Sequence, residues 1–168
     1  SQEDDKKGKL FTSDFGYKLN YLLGRASLKR SEVYLTNIVK CAGTPKKKHM
    51  DACEDYLLYE ILKNKPKVIV TLGAEATNRV TDSKQRLKQV RGFPEKKVFK
   101  WEGKTKKYRH ECWVIPTHGI AAALHNWVLD DLIVRDLKVA KKYAEGYPVY
   151  QLPQTKVSVV AKHDLPGA

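Results

Sequence analysis

The chain has 168 residues, enough for a single domain with a substantial core. Lys and Arg number 32 against 19 Asp and Glu, a net charge of +13, so the surface attracts polyanions, of which nucleic acid is the commonest inside cells. No apolar run reaches membrane-spanning length and no signal-like apolar segment opens the chain. Three cysteines without regular pairing argue against a secreted disulfide scaffold, so an intracellular protein with no membrane partner is expected.

Residues 1–9 read as charged and irregular, and Phe11 is the first large apolar ring. Residues 16–23 (GYKLNYLL) set Leu19, Leu22 and Leu23 at helical spacing, which predicts a short amphipathic helix ended by Gly24. Residues 33–36 (VYLT) are strand formers with Val33 and Leu35 on one face, and the predicted strand stops at Asn37, ahead of Cys41. The segment 42–48 (AGTPKKK) reads as an exposed loop carrying Lys46, Lys47 and Lys48. Residues 51–64 are expected to form a second helix, with Ala52, Cys53, Tyr56, Leu57, Tyr59, Ile61 and Leu62 on a broad apolar side. Asn64 and Pro66 mark its end. The continuous apolar run 67–73 (KVIVTLG), closed by glycine, has the form of a central parallel strand, which makes the preceding helix part of a βαβ unit.

A short helix over 74–80 follows, and Arg91-Gly92 reads as a turn with a cation. Residues 98–101 and 108–115 suggest a hairpin around Glu102-Gly103-Lys104, with a Lys-rich solvent face. Its second arm enters the core through Trp113-Val114-Ile115 and stops at Pro116, with His118-Gly119 next. The small-residue stretch 120–124 leads to His125-Asn126-Trp127. An amphipathic helix is then predicted over 130–144, with Leu132, Ile133, Leu137, Ala140 and Tyr143 inward. Residues 147–168 hold three prolines and no helical period, so they read as a linker or strap after a domain spanning 1–146. The expected architecture is α/β: a three-layer αβα domain with a mainly parallel central sheet, plus a basic hairpin. Ligands of such sheets bind beyond the carboxyl ends of the strands, and those ends present Asn37, Gly73 and Thr117-His118.

Gly8-Lys9-Leu10-Phe11 with Gly16 and Leu19, YLTNIVKC from Tyr34 to Cys41, Cys53, PKVIVTLG from Pro66 to Gly73 with Ala76, Arg91-Gly92, Pro116-Thr117-His118 and His125-Asn126 follow one another in a familiar order. Together they resemble the iron–sulfur uracil-DNA glycosylases, family 4 of the uracil-DNA glycosylase superfamily, over residues 3–144. The resemblance implies a DNA-repair hydrolase that flips uracil, or a related modified pyrimidine, out of DNA and cuts its N-glycosidic bond. It implies that Phe11 stacks on the extruded base, Asn37 reads its polar edge and His118 stabilises the departing base. By their charge Lys46, Lys47, Lys48 and the basic 96–109 hairpin are expected to meet phosphates, and Arg91, His125 and Asn126 are expected to face DNA; the family's wedge loop is altered here, with Leu124 as the wedge candidate.

Departures from the family pattern carry expectations of their own. Glu3-Asp4 occupies the acidic place of the family's first motif, whose strand and first acidic residue lie before Ser1. The family's cluster is held by four cysteines, of which Cys41 and Cys53 have counterparts here, so a [4Fe–4S] cluster is implied only with two further Cys from outside this chain. A rival zinc reading takes Cys41, His49 and Cys53. The family's His-Pro is His118-Gly119 here. A chain that opens inside a motif and ends in a Pro-rich strap is expected to be a piece of a larger protein, such as a domain joined to a phage-type replication enzyme. The alternative function is a glycosylase fold, weakened or inactive, that binds DNA or a partner domain or subunit within a replication or repair assembly. A nucleotide-metabolising domain ranks last, because no Gly-rich phosphate loop is present.

Overall fold

The β-branched run Val68-Ile69-Val70-Thr71 forms the short central strand β1 (Val68–Leu72), in a computed structural model that describes residues 13–40 and 46–146. The hairpin strands β2 (Glu95–Glu102) and β3 (Lys107–Thr117) complete a sheet of order β1-β3-β2. β1 runs parallel to β3, with Val68 opposite Trp113 and Leu72 opposite Thr117, and β2 is antiparallel to β3. The helices are α1 (Asp14–Arg25), α2 (Lys47–Ala52), α3 (Glu54–Asn64), α4 (Ala74–Thr81), α5 (Leu87–Val90), α6 (Ile120–His125) and α7 (Val128–Ala144).

Strand alternation sends neighbouring β1 side chains to opposite faces, and each face has its own core. On one, Val70 and Leu72 meet Leu19, Leu22 and Leu23 of α1, Ile120 and Ala123 of α6, and Ile133, Val134 and Leu137 of α7. On the other, Ile69, Phe99 and Val114 meet Leu57 and Ile61 of α3 and Val80 of α4. The described residues therefore form the expected α/β sandwich of helix, sheet and helix, with one parallel and one antiparallel strand pair. Polar pins reinforce the first face: Lys18 bridges to Asp130 at 2.7 Å and Arg25 to Asp131 at 2.7 Å, tying α1 to α7.

Several boundaries differ from the sequence expectation. Gly24 does not end the first helix; Arg25 continues it and the turn comes at Ala26 and Ser27, the latter at φ 57. Residues 33–36 are extended but join no strand ladder among the described residues. Val33 and Leu35 do face the first core and Ile38 the second, so the segment passes from one face of the sheet to the other. Its side chains bond to a helix instead of its backbone to a strand: Thr36 Oγ1 donates to Glu60 of α3 at 2.7 Å. The expected helix over 51–64 is two helices meeting at Cys53, and Lys47 and Lys48 open the first rather than lying in a loop. The apolar side of α3 is also narrower than expected, because Tyr56 and Tyr59 point to solvent. β3 runs on through Pro116, whose carbonyl accepts the amide of Gly92 at 2.8 Å. Among the described residues no helix is long and apolar enough to cross a membrane. Residues 147–168, Phe11, Glu3, Asp4 and Cys41 lie outside the described residues.

Candidate active site

Because β1 and β3 are parallel, their carboxyl ends open at the same edge, and the chain turns sharply there. Gly73, at φ 97, donates its amide to the Thr117 carbonyl at 2.9 Å. Its backbone also lies against Gly119: a Cβ placed on Gly73 would meet the Gly119 Cα at 3.6 Å. His118 leaves β3 between these two contacts. Burial holds its imidazole below the usual histidine range, the nearby Arg91 cation pushes it lower, and Asp136 pulls the other way. At neutral pH the ring is therefore uncharged, with an N–H to donate.

A buried carboxylate fixes the wall behind His118. Asp136 of α7 is 2% exposed; it accepts the Thr117 hydroxyl at 2.6 Å and Arg91 Nη1 at 2.9 and 2.8 Å on its two oxygens. Gly92, at φ 77, passes so close that a Cβ there would sit 2.8 Å from Asp136 Oδ1. Arg91, expected to face DNA, thus has a carboxylate partner that ties the loop after α5 to α7 and β3. Asp136 was not singled out from the sequence. Its signal was there: it lies three residues after Ile133 and four before Ala140, an acid in the middle of a buried stripe.

Asn37 lies on the crossing segment between Leu35 and Ile38. Its carbonyl accepts Lys40 Nζ at 2.8 Å, while its side-chain amide has no hydrogen-bond partner among the described residues. The structure brings Thr117, His118, Arg91 and Asp136 together, and it shows no contact between Asn37 and His118. Leu124 is 38% exposed on α6, where Ile120 and Ala123 face inward, and His125 is exposed beside it. Asn126 has a local task, since its Oδ1 accepts at 3.1 Å the amide of Val128, the first residue of α7. Trp127 next to it is 76% exposed. Lys46, Lys47 and Lys48 are all exposed around the start of α2.

The cysteines fit the implied cluster only in part. Cys53 is buried at the α2–α3 junction and its sulfur accepts the Lys40 amide at 3.4 Å, a bond that a thiolate ligand also takes. Cys112 does not fit: it is buried in β3 opposite Lys97, and burial, with Glu111 second, pushes its thiol up to about 11. Among the described residues no group of three or more His, Cys, Asp or Glu is placed to hold a metal. His49, the middle ligand of the zinc reading, accepts the Lys46 amide on Nδ1 at 3.1 Å. The three cysteines of this chain do not make up a four-thiolate set.

A histidine at the shared carboxyl end of parallel strands, backed by a buried carboxylate and a cation, puts the chain among α/β domains whose ligands bind beyond the strand ends. The family model of the uracil DNA glycosylase superfamily matches residues 1–138. The type-4 uracil-DNA glycosylase of Thermotoga maritima is 34% identical over 149 residues, covering 84% of this chain and 72% of that protein. The one from Sulfurisphaera tokodaii is 32% identical over 152 residues, 85% of this chain and 66% of that protein. The one from Saccharolobus solfataricus is 28% identical over 157 residues, 88% of this chain and 69% of that protein. The chain belongs to the uracil-DNA glycosylase superfamily. It spans about two thirds to three quarters of the length of these relatives.

Proposed function

We propose that this domain removes uracil, or a related modified pyrimidine, from DNA by hydrolysing the N-glycosidic bond of an extruded nucleotide. The observation that carries the reading is His118, held neutral at the joint carboxyl end of β1 and β3 in a chain of this superfamily. The base leaves the stack and enters the crevice, where Phe11 replaces its lost stacking. The Asn37 amide offers a donor and an acceptor side by side, which match a carbonyl and the neighbouring N–H of uracil. Cytosine would leave those groups unpaired, at about 1–3 kcal/mol each.

As the bond between C1′ and the base breaks, its electron pair stays on the base. The neutral His118 N–H donates a hydrogen bond to the oxygen where that charge develops. Water adds to C1′ and gives up its proton to the carboxylate of Glu3 or Asp4, in the acidic place that orients it, and the released base anion takes up a proton from solvent. Lys46, Lys47, Lys48 and His125 meet phosphates, and Leu124 fills the gap left in the duplex. Arg91 and Asn126 act through the scaffold, as positioning residues. Cys41 and Cys53 would supply two thiolates to a cluster completed from outside this chain. DNA as the substrate goes with an intracellular location; the relatives add no support for a phage-type replication setting or for a further partner.

Single-turnover release of free base from a uracil-containing oligonucleotide tests the reading. His118→Ala is expected to slow release about 100-fold, the scale of losing one donor to a developing anion. Asn37→Ala is expected to slow it about 10-fold or more, the cost of an unread polar edge. Unchanged rates in both variants sink the assignment, and salt-dependent DNA binding with no release at all selects the non-catalytic alternative.

A further inference from the structure

Two tyrosines that helical spacing would bury, Tyr56 and Tyr59, stand in solvent beside a third, Tyr34. Tyr34 is 63% exposed, Tyr56 64% and Tyr59 61%, and all three line one groove of about 390 Å³ with Lys40, Glu60 and Lys63. Tyr56 and Tyr59 are one helical turn apart on α3, and Tyr34 points away from the core that Val33 and Leu35 enter. The Lys63 ammonium lies 5.6 Å from the Tyr59 ring centre. Glu60 brings no free negative charge, because its carboxylate takes Thr36 at 2.7 Å and Lys40 at 2.6 Å. The same Lys40 ammonium bonds the Asn37 carbonyl, so one end of the groove adjoins the segment proposed to read the base.

We infer that this groove binds the unpaired DNA strand beside the target nucleotide, with bases stacking on the tyrosine rings and phosphates meeting Lys63. Stacking on an aromatic face needs a base whose own faces are uncovered, which single strands offer and duplexes do not. Lysine beside the rings and a net charge of +13 favour a polyanion over a protein partner, whose interface cores are depleted in lysine. The inference rests on the proposed action on DNA and adds to it a second contact surface, for the strand that flanks the target nucleotide.

The test uses the full chain and uracil-free oligothymidylate, against a duplex of equal length, by fluorescence anisotropy. The pair Tyr56→Ala/Tyr59→Ala is expected to weaken single-strand binding about tenfold or more and to leave duplex binding unaltered. The matching Tyr→Phe pair should bind within about twofold of the parent, since the ring face does the work. Lys63→Glu should lower single-strand affinity and reduce its salt slope by about one. Full single-strand affinity in a folded Ala pair, equal loss on duplex, or sedimentation showing that the tyrosines hold two copies together would each overturn the inference. Because the probe contains no uracil, a failure of base release leaves this result standing, and the reverse also holds.

Discussion

Thr117 donates its hydroxyl hydrogen bond to the buried carboxylate of Asp136 across 2.6 Å, one residue before His118. The same carboxylate holds Arg91, so a single acid from α7 fixes both the strand end and the loop behind it. Asp136→Ala leaves the Arg91 cation and the Thr117 hydroxyl without their acceptor in a nearly dry setting. Removing one member of such a pair costs about 3 kcal/mol. At this chain length that corresponds to a melting temperature lower by about 10 °C, measurable by thermal unfolding. An unchanged melting temperature would show that the carboxylate does not hold this wall.

Acid should switch the site off late. Burial and Arg91 lower the His118 value below 6.5, so the neutral ring persists under mildly acidic conditions. The unfolded chain takes up that proton first as pH falls. The stability tied to neutral His118 is therefore full above pH 6.5 and is lost as pH drops through the lowered folded value. Base release should follow the same proton, with an acid limb below 6.5 in the parent. Arg91→Met removes the neighbouring cation and should move that limb upward. A parent limb at or above 6.5 in the single-turnover pH profile counts against a neutral donor.

Gly92 and Gly146 separate strain from contact. Both have positive φ, 77 and 80, so alanine at either incurs about 1–2 kcal/mol of left-handed strain. At Gly92 the new Cβ would strike Asp136 Oδ1 at 2.8 Å, whereas among the described residues nothing lies within 4 Å of the one at Gly146. Gly92→Ala should therefore lower the melting temperature more than Gly146→Ala and also slow base release. Equal melting temperatures for the two variants would mean that the loop yields without disturbing Asp136.

Elements dictated by local chemistry were legible in the sequence. The KVIVTLG run gave β1 with its turn at Gly73, and the leucine spacing gave α1. The Ile133, Leu137 and Ala140 stripe gave the inward face of α7. What failed depended on partners distant in sequence. Val33–Thr36 has strand chemistry, but Thr36 and Lys40 bond to Glu60 across to α3, and no ladder forms there among the described residues. Tyr56 and Tyr59 count as apolar by pattern yet stay in solvent, because the narrower face of Leu57 and Ile61 makes the contact with the sheet. Of the site, His118 was readable from its place after a strand. The clamp behind it was not, since Arg91 and Asp136 are 45 residues apart.

Leu124 separates duplex from single-stranded action. It is 38% exposed on a short helix that follows His118-Gly119 directly and is anchored by Ile120 and Ala123, and Trp127 just beyond is 76% exposed, so two large apolar side chains stand in solvent on the chain leaving the site. Extruding a base from a duplex leaves a gap that must be filled to stop the base returning, and unstacking costs a few kcal/mol. A single strand leaves no such gap. Leu124→Ala should lower uracil release from duplex DNA about tenfold while leaving release from a single strand within about twofold, in the direction set by that cost. Adding Trp127→Ala should deepen the duplex defect alone. Parallel single-turnover assays on the two substrates check this, and an equal fall on both would mean that Leu124 supports the crevice instead of entering the duplex.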